Sequence, residues 1–405
     1  MESMHIVAVD TTLTTPPTGG GQTFLVHLAK LLVKRGHKFS VIAQRGPEMA
    51  IAAALKDVGA HVHLDLWTSS HLPEEKAARL AEWVNVHDVT VYIVSISPDA
   101  GWLALPLLDP TIATISIAHN DVRAFYDPVA HYAPLIDCAI GVSLETARQL
   151  EEAAGLTSEQ VRYIPYGIDS LSPADADQCV NVPSAPLRIG YIGRLVQGQK
   201  RVMDFVGVIR EMKKRQVPFE LHLVGEGPER AQLEQAIKEN GFNENVSFWG
   251  WLTPAEVKER LANLDVFILL SDHEGLPVAL LEAMGQALCP VVTSINSGNS
   301  QLVRDGENGL LFNVGDTNAC AEHLARLAAD RNLLRTLRRA AWKTAGEYSV
   351  ERMVDSYEEC FRSLAADSSS NARRAAVPRP YPLLPACRSR YPFWLRKVKS
   401  RLGVR

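Results

Sequence analysis

Nothing in this 405-residue chain spells a disulfide framework or a zinc site: its six cysteines, Cys138, Cys179, Cys289, Cys320, Cys360 and Cys387, are scattered and no C-x-x-C pair occurs. A reduced, cytoplasmic compartment is the expectation. An excess of charge of one sign is also lacking, with 42 Lys and Arg against 46 Asp and Glu and a net charge of −4, so composition gives no reason to expect nucleic acid as a partner. No apolar run approaches the length of a bilayer, and no basic segment precedes an apolar one at the N-terminus, where Met4 to Val9 enters a strand at once. The chain is therefore expected to be neither secreted nor integral to a membrane. His61 and His63 alternate on a strand without a third ligand nearby, so no metal site is expected. Pro16-Pro-Thr-Gly-Gly-Gly21 lacks the Gly-Lys-Ser/Thr of a Walker loop.

What the chain does have is alternation. The length suffices for two cores. Apolar runs at Met4 to Val9, Lys38 to Ala43, Ala60 to Leu66, Val89 to Ser95, Ile112 to Ala118, Cys138 to Val142 and Val161 to Ile164 predict strands of a first parallel sheet. The Thr23 to Arg35 stretch carries Phe24, Leu28, Leu31 and Leu32 at helical spacing and stops at Gly36. A second series follows, with strands at Leu187 to Ile192, Glu220 to Val224, Val246 to Trp249, Val266 to Leu270 and Pro290 to Thr293. Thr253-Pro-Ala-Glu256 predicts a capped helix start. The expected division is a first domain over 1–170, an unperiodic linker over 171–186, a second domain over 187–347, a closing helix over 348–366 and a basic tail over 367–405. Asp175-Ala-Asp177 falls in that linker and reads as solvated charge.

Ser271 to Pro290 places Glu274 and Glu282 around the start of a helix that follows a buried strand. Pro277 suits its first position, and the N–H groups of Gly275 and Leu276 suit a phosphate. Glu282 is the only charge between Gly275 and Val292, and sugar hydroxyls would supply the donors a buried carboxylate needs. Taken alone, Glu274 complementing the helix dipole and Glu282 satisfied by backbone explain the stretch equally well. Gly193-Arg194, with Lys200 beyond it, puts two cations at a strand end, as a diphosphate requires; solvated surface cations are the plainer alternative. Gly225 and Gly227 form a turn at which backbone can approach a ligand, and Gly19, Gly20 and Gly21 do the same between the first strand and first helix. His119 ends the strand Ile112 to Ala118, where open parallel sheets bind ligands.

Together these residues resemble the glycosyltransferases of family 4, over roughly Met4 to Ala366. The resemblance rests on Gly19–Gly21, His119, Ile164-Pro-Tyr-Gly-Ile-Asp169, Gly193-Arg194-Leu195 with Lys200, Val224-Gly-Glu-Gly227, and Glu274 with Glu282 in the family's E-x7-E spacing. It implies an α/β protein of GT-B fold, two Rossmann-like doubly wound parallel-sheet domains facing an interdomain cleft. It also implies a nucleoside diphosphate sugar, UDP- or GDP-linked, as co-substrate, no required cofactor, and retention of anomeric configuration. On the same footing, Glu282 would take the ribose, Glu274 the donor sugar, Arg194 and Lys200 the diphosphate, and His119 the vicinity of the anomeric centre. Three positions depart from the family pattern: Gln301 stands where many members have Glu, Ala287 where glycine is usual, and Tyr166 often matches Asn. A sugar-nucleotide epimerase or a non-catalytic sugar-nucleotide-binding regulator would share the fold. The acceptor is expected to be a hydroxyl of a glycan, a lipid-linked sugar or a small molecule, in cell-surface polysaccharide or glycoconjugate synthesis, and the 391–402 segment hints at a lipid-linked one. There Phe393, Trp394, Leu395, Val398 and Leu402 mix with Arg396, Lys397, Lys399 and Arg401, as in a helix lying on an anionic membrane's inner face; a disordered basic extension fits as well.

Overall fold

The computed structural model describes residues 3–10, 20–46, 49–94, 99–180, 186–385, 388, 393, 396 and 397. Gly19 and most of the 391–402 segment lie outside them.

The chain divides into two units, each built on its own parallel sheet. One holds Met1–Val142, Thr146–Ile164 and Met353–Arg405, the other Ser143–Glu145 and Pro165–Arg352. In the first unit the strands are β1 (His5–Val9), β2 (Lys38–Ile42), β3 (His61–His63), β4 (Val91–Val94), β5 (Ala113–Ala118), β6 (Cys138–Gly141) and β7 (Val161–Tyr163), in the spatial order 3-2-1-4-5-6-7. All pair in parallel. The strand His5–Val9, apolar from Ile6 onward, is buried along its whole length, because helices cover both faces of such a sheet. The second unit has β8 (Leu187–Ile192), β9 (Phe219–Val224), β10 (Val246–Gly250), β11 (Val266–Leu269), β12 (Cys289–Thr293) and β13 (Leu310–Phe312), ordered 10-9-8-11-12-13. In each sheet the winding reverses beside the first strand, at the β1/β4 pair and the β8/β11 pair. At such a switch point the loops beyond the strands' carboxyl ends diverge and leave a crevice.

Local chemistry sets several boundaries. Gly36 adopts φ +88° after the helix Gly20–Lys34, the left-handed end that glycine tolerates. Thr253 and Glu256 cap each other across the start of Pro254–Leu261, with Thr253 N–H donating to Glu256 Oε2 at 2.8 Å. The strand expected over Ala60 to Leu66 shrinks to the three residues that pair with β2, and β13, equally short, offers no period to read.

Three sequence expectations are corrected. The supposed linker holds a helix, Pro173–Val180, whose Ala176 and Val180 are buried beside Ala287 and against Trp342; Leu171 accepts the Trp342 indole N–H at 3.1 Å. Its Asp177 is not merely solvated, since it meets Arg339 at 3.1 Å. The tail, in turn, opens with a helix, Ser368–Ala375, capped by Asp367 and anchored in the first unit. Its Arg374 is fully buried, lies 3.2 Å from Asp137 Oδ2 and donates to the Ile112 carbonyl. Val377, Tyr381, Leu383 and Leu384 then pack on the first unit's core. Finally, Pro277 (φ −72°, ψ 103°) lies just outside the helix Val278–Gly285, at the flanking position instead of the first helical one.

No helix among the described residues is long and apolar enough to cross a membrane. Of the basic stripe in the 391–402 segment, the described Arg396 and Lys397 are ion-paired with Glu74 and Glu75, the latter at 3.0 Å.

Candidate active site

In the second unit, the loops beyond β8 and β11 bring three of the expected residues together. After β8 come Gly193, Arg194 and the single helical turn Gln197–Lys200; after β11 the chain runs through Ser271 to Glu274 and into Val278–Gly285. Because β8 and β11 are neighbours, the two loops meet at the switch point. Lys200 Nζ lies 2.5 Å from Glu274 Oε1, and the Glu274 side chain is almost wholly buried. Gln199, which sequence reading passed over, joins the remaining partner: its Oε1 accepts from Arg194 Nη2 at 2.7 Å, while its Nε2 approaches the His273 carbonyl at 3.2 Å and Glu274 Oε2 at 3.5 Å. The only cue to it was its place beside Lys200. The turn is tied down by Asp272 N–H donating to the Gln199 carbonyl at 2.9 Å, and by Arg201, which reaches Asp204 at 2.7 Å and Asp272 at 3.2 Å. Arg201 holds φ +50°, a strained conformation for a side-chain-bearing residue.

The glycines explain how Arg194 is placed. A Cβ on Gly225, which has φ +130°, would lie 2.0 Å from the Gly193 carbonyl, and one on Gly227 would lie 2.1 Å from that of Leu195. Backbone packs on backbone here, sealed by Gly193 N–H to Val224 O at 3.0 Å and Leu195 N–H to Glu226 O at 2.9 Å. The need for glycine is thus met by loop packing before any ligand is considered. The Tyr191 hydroxyl donates to the Arg194 carbonyl at 2.7 Å and fixes the loop from below.

Gly275 and Leu276 are buried at the turn into Val278–Gly285. Gly298 N–H donates to the Gly275 carbonyl at 2.9 Å, and among the described residues the N–H groups of Gly275 and Leu276 meet no acceptor. That leaves donors and the positive helix end available to an anion. Glu282, partly buried on the same helix, is not part of the Arg194–Gln199–Glu274–Lys200 cluster. Among the described residues its carboxyl has no partner, and burial pushes its pKa up to about 7.

His119 and the glycine loop belong to the first unit. His119 follows β5, with Phe24 and Phe125 edge-on at 5.7 and 6.1 Å. Burial drives its pKa down to about 3, so the imidazole is neutral at physiological pH. Gly20 and Gly21 lie within the described helix Gly20–Lys34, not in a loop ahead of it. The polar residues after His119 are used locally: Asp121 accepts from the Tyr126 hydroxyl at 2.9 Å and Arg123 pairs with Asp127. His63 packs its ring on Trp83, and no cluster able to hold a metal ion occurs among the described residues.

Of the departures from the family pattern, Ala287 sits fully buried at φ +58°, its carbonyl held by Arg338 Nε at 2.7 Å. The Arg338 contact and the packing of its methyl hold a conformation that glycine would adopt freely. Gln301 Oε1 accepts from Leu144 N–H at 2.8 Å, a bond in which amide and carboxylate serve alike.

Known proteins match the chain in both units. Residues 18–170 match the family described as Glycosyltransferase Family 4, and residues 186–330 match Glycosyl transferases group 1, together about three quarters of the chain. The exopolysaccharide phosphotransferase SCO2592 of Streptomyces coelicolor is 26% identical over 295 residues, 71% of this chain and 30% of that protein. The putative colanic acid biosynthesis glycosyltransferase WcaL of Salmonella typhimurium is 30% identical over 262 residues, 61% of this chain and 63% of its own length. These matched regions span less than two thirds of either relative. The crystal structure of Anabaena Alr3699/HepE, in complex with UDP and glucose, superposes with a TM-score of 0.72 at 20% identity, covering 89% of this chain and all of that one. With family matches in both units, the chain belongs to the family 4 glycosyltransferases, and the superposition shows that it has the GT-B fold.

Proposed function

We propose that the chain transfers a hexosyl unit from a nucleoside diphosphate sugar to a hydroxyl of a glycan or lipid-linked acceptor, in the synthesis of a cell-surface polysaccharide. The observation that carries the reading is the meeting of Arg194, Lys200 and Glu274 beyond the carboxyl ends of β8 and β11. Two cations and the N–H groups at Gly275 and Leu276 would receive the charge that builds on a departing diphosphate, without reorganisation at the moment of reaction. The C1–oxygen bond breaks with its electron pair on the diphosphate, the acceptor oxygen bonds to C1, and its proton passes to the departing phosphate oxygen. Attack on the face the diphosphate leaves would retain the anomeric configuration. No cofactor is needed in this scheme.

Glu282, whose carboxyl has no partner among the described residues, is assigned to the ribose hydroxyls, since such a carboxylate accepts from a vicinal diol, and Glu274, beside the two cations, to those of the donor sugar. His119, being neutral, is assigned a hydrogen bond to a sugar hydroxyl and not a charge. UDP is the favoured nucleotide because HepE holds UDP and glucose. The names of SCO2592 and WcaL favour a polysaccharide product.

The test is to incubate the full chain with UDP-, GDP- and ADP-sugars, with and without polyprenyl-diphosphate-linked sugars and oligosaccharides. Nucleotide release that depends on added acceptor, with a product enlarged by one hexose, is the expected result. A donor isomerised without acceptor, or bound without turnover, would replace this reading with epimerisation or regulation.

A further inference from the structure

Gln199 stands between the opposite charges of the second unit's cluster. A guanidinium only donates and a carboxylate only accepts, so Arg194 and Glu274 dictate which end of the amide faces which. The oxygen takes Arg194 Nη2 at 2.7 Å; the nitrogen faces the His273 carbonyl at 3.2 Å and Glu274 Oε2 at 3.5 Å, while Lys200 holds the other carboxylate oxygen. Gln199 is itself nearly buried, so neither contact is readily replaced by water.

We infer that Gln199 is a positioning residue for the donor site, an amide relay that aims Arg194 and keeps a donor on Glu274 when a diphosphate draws Lys200 away. The inference rests on the donor site proposed above. Its logic is one of satisfaction: Glu274 is buried, so a carboxylate left without donors would be strongly unfavourable. Once Lys200 turns to phosphate, the Gln199 N–H is the side-chain donor already in place. On the other side, the amide oxygen restricts an otherwise exposed guanidinium to one orientation.

Because the amide's two ends are distinguishable, an isosteric swap separates relay from packing. The charged and titratable groups around position 199 are Tyr191 and Arg194 from the end of β8, Lys200 and Arg201 from its own turn, and Asp272, His273 and Glu274 from the loop after β11. In Gln199→Glu a protonated carboxyl can still donate to Glu274 and accept from Arg194, as the amide does. Once ionised, it sets an oxygen against Glu274 where a donor belonged. Gln199→Met keeps the volume and loses both bonds at every pH.

The experiment follows the thermal midpoint of the full chain and both variants from pH 5 to pH 8.5, with UDP affinity by calorimetry at each end and donor kcat and KM where turnover is measurable. Expected for Gln199→Glu is a midpoint close to the parent's at pH 5 that falls several degrees below it by pH 8.5, with UDP affinity reduced roughly tenfold at the upper end. Gln199→Met should lie below the parent by an offset that does not change with pH. A Gln199→Glu deficit independent of pH would overturn the relay, and UDP affinity equal to the parent's throughout would overturn its positioning role. Absence of turnover with every sugar nucleotide, while the pH-dependent midpoint and UDP effect persist, would count against the transfer reaction and leave the relay standing.

Discussion

Lys200 and Glu274, seventy-four positions apart in sequence, meet as a nearly buried ion pair with Nζ 2.5 Å from Oε1. Removing one member leaves the other's charge uncompensated, a loss of about 3–5 kcal/mol for a fully buried pair, so about 2–3 kcal/mol is expected here, where Lys200 keeps some contact with water. Urea unfolding of Lys200→Ala, Glu274→Ala and the double variant should show the double less destabilised than the sum of the singles, by about 1–2 kcal/mol. Strict additivity would mean that the pair does not act as a unit. Lys200→Ala should also depress turnover severely, and undiminished turnover would remove it from the leaving-group role.

Glu282 gives the chain a stability that falls as pH rises. Its carboxyl titrates near 4.5 when unfolded and about 7 when folded. Below pH 4.5 both states are protonated and nothing is lost. Between the two values the unfolded state binds fewer protons than the folded one, so stability declines with pH until about pH 7, by roughly 3 kcal/mol at one unit per 1.4 kcal/mol. Glu282→Gln should therefore be as stable as the parent at pH 4.5 and more stable at pH 8, as read from thermal midpoints. If the ribose hydroxyls donate to the ionised form, nucleotide affinity should strengthen as pH climbs through 7, and Glu282→Gln should abolish that dependence.

His119 should be silent where histidines usually titrate. With its pKa held near 3 by burial, the folded chain stays neutral there between pH 3 and 6.5 while the unfolded chain takes up a proton. This residue therefore withdraws stability as pH falls through that window, and His119→Gln should flatten the acid limb of the stability curve. The same variant should leave any inflection of kcat/KM near neutrality in place, since Glu282, not His119, titrates there. Loss of that inflection in His119→Gln would reverse the assignment.

The sheets were legible in the sequence because parallel strands buried on both faces leave unbroken apolar runs, and the Arg194, Lys200 and Glu274 positions because strand ends and glycines mark them. Gln199 was not legible: an amide one residue from a lysine has no pattern, and its role exists only where β8 and β11 set two loops side by side. In the sequence the glycines at 225 and 227 suggest an opening for a ligand, whereas in the structure the tight constraint is the Gly193 and Leu195 carbonyls against them. The helix Pro173–Val180 is not legible in the sequence because its composition is that of a loop and its two buried residues acquire meaning only against Ala287 and Trp342. Arg374 was hidden for a similar reason. Among so many basic residues, nothing local distinguishes the one that goes inside.

That arginine decides where the chain can be cut. Asp137, at the edge of β6, accepts from Thr114 N–H at 2.8 Å, from the Ser370 hydroxyl and from Arg374, and it is buried with them. Ending the chain at Asp367 removes the Ser370 and Arg374 bonds to Asp137 and strips Val377, Tyr381, Leu383 and Leu384 from the first unit's core, so a loss of about 3–5 kcal/mol and a markedly lower urea midpoint are expected. Arg374→Met should reproduce most of it. Ending the chain at Arg388 instead spares that anchor and deletes Arg396 and Lys397, whose pairs with Glu74 and Glu75 are partly exposed and should contribute only about 1 kcal/mol. Liposome sedimentation of the Arg388 form against the full chain therefore tests membrane association without unfolding the first unit. Binding to anionic vesicles that survives the deletion would clear the 391–402 segment of that role, and an Asp367 form as stable as the full chain would show that Arg374 is no anchor.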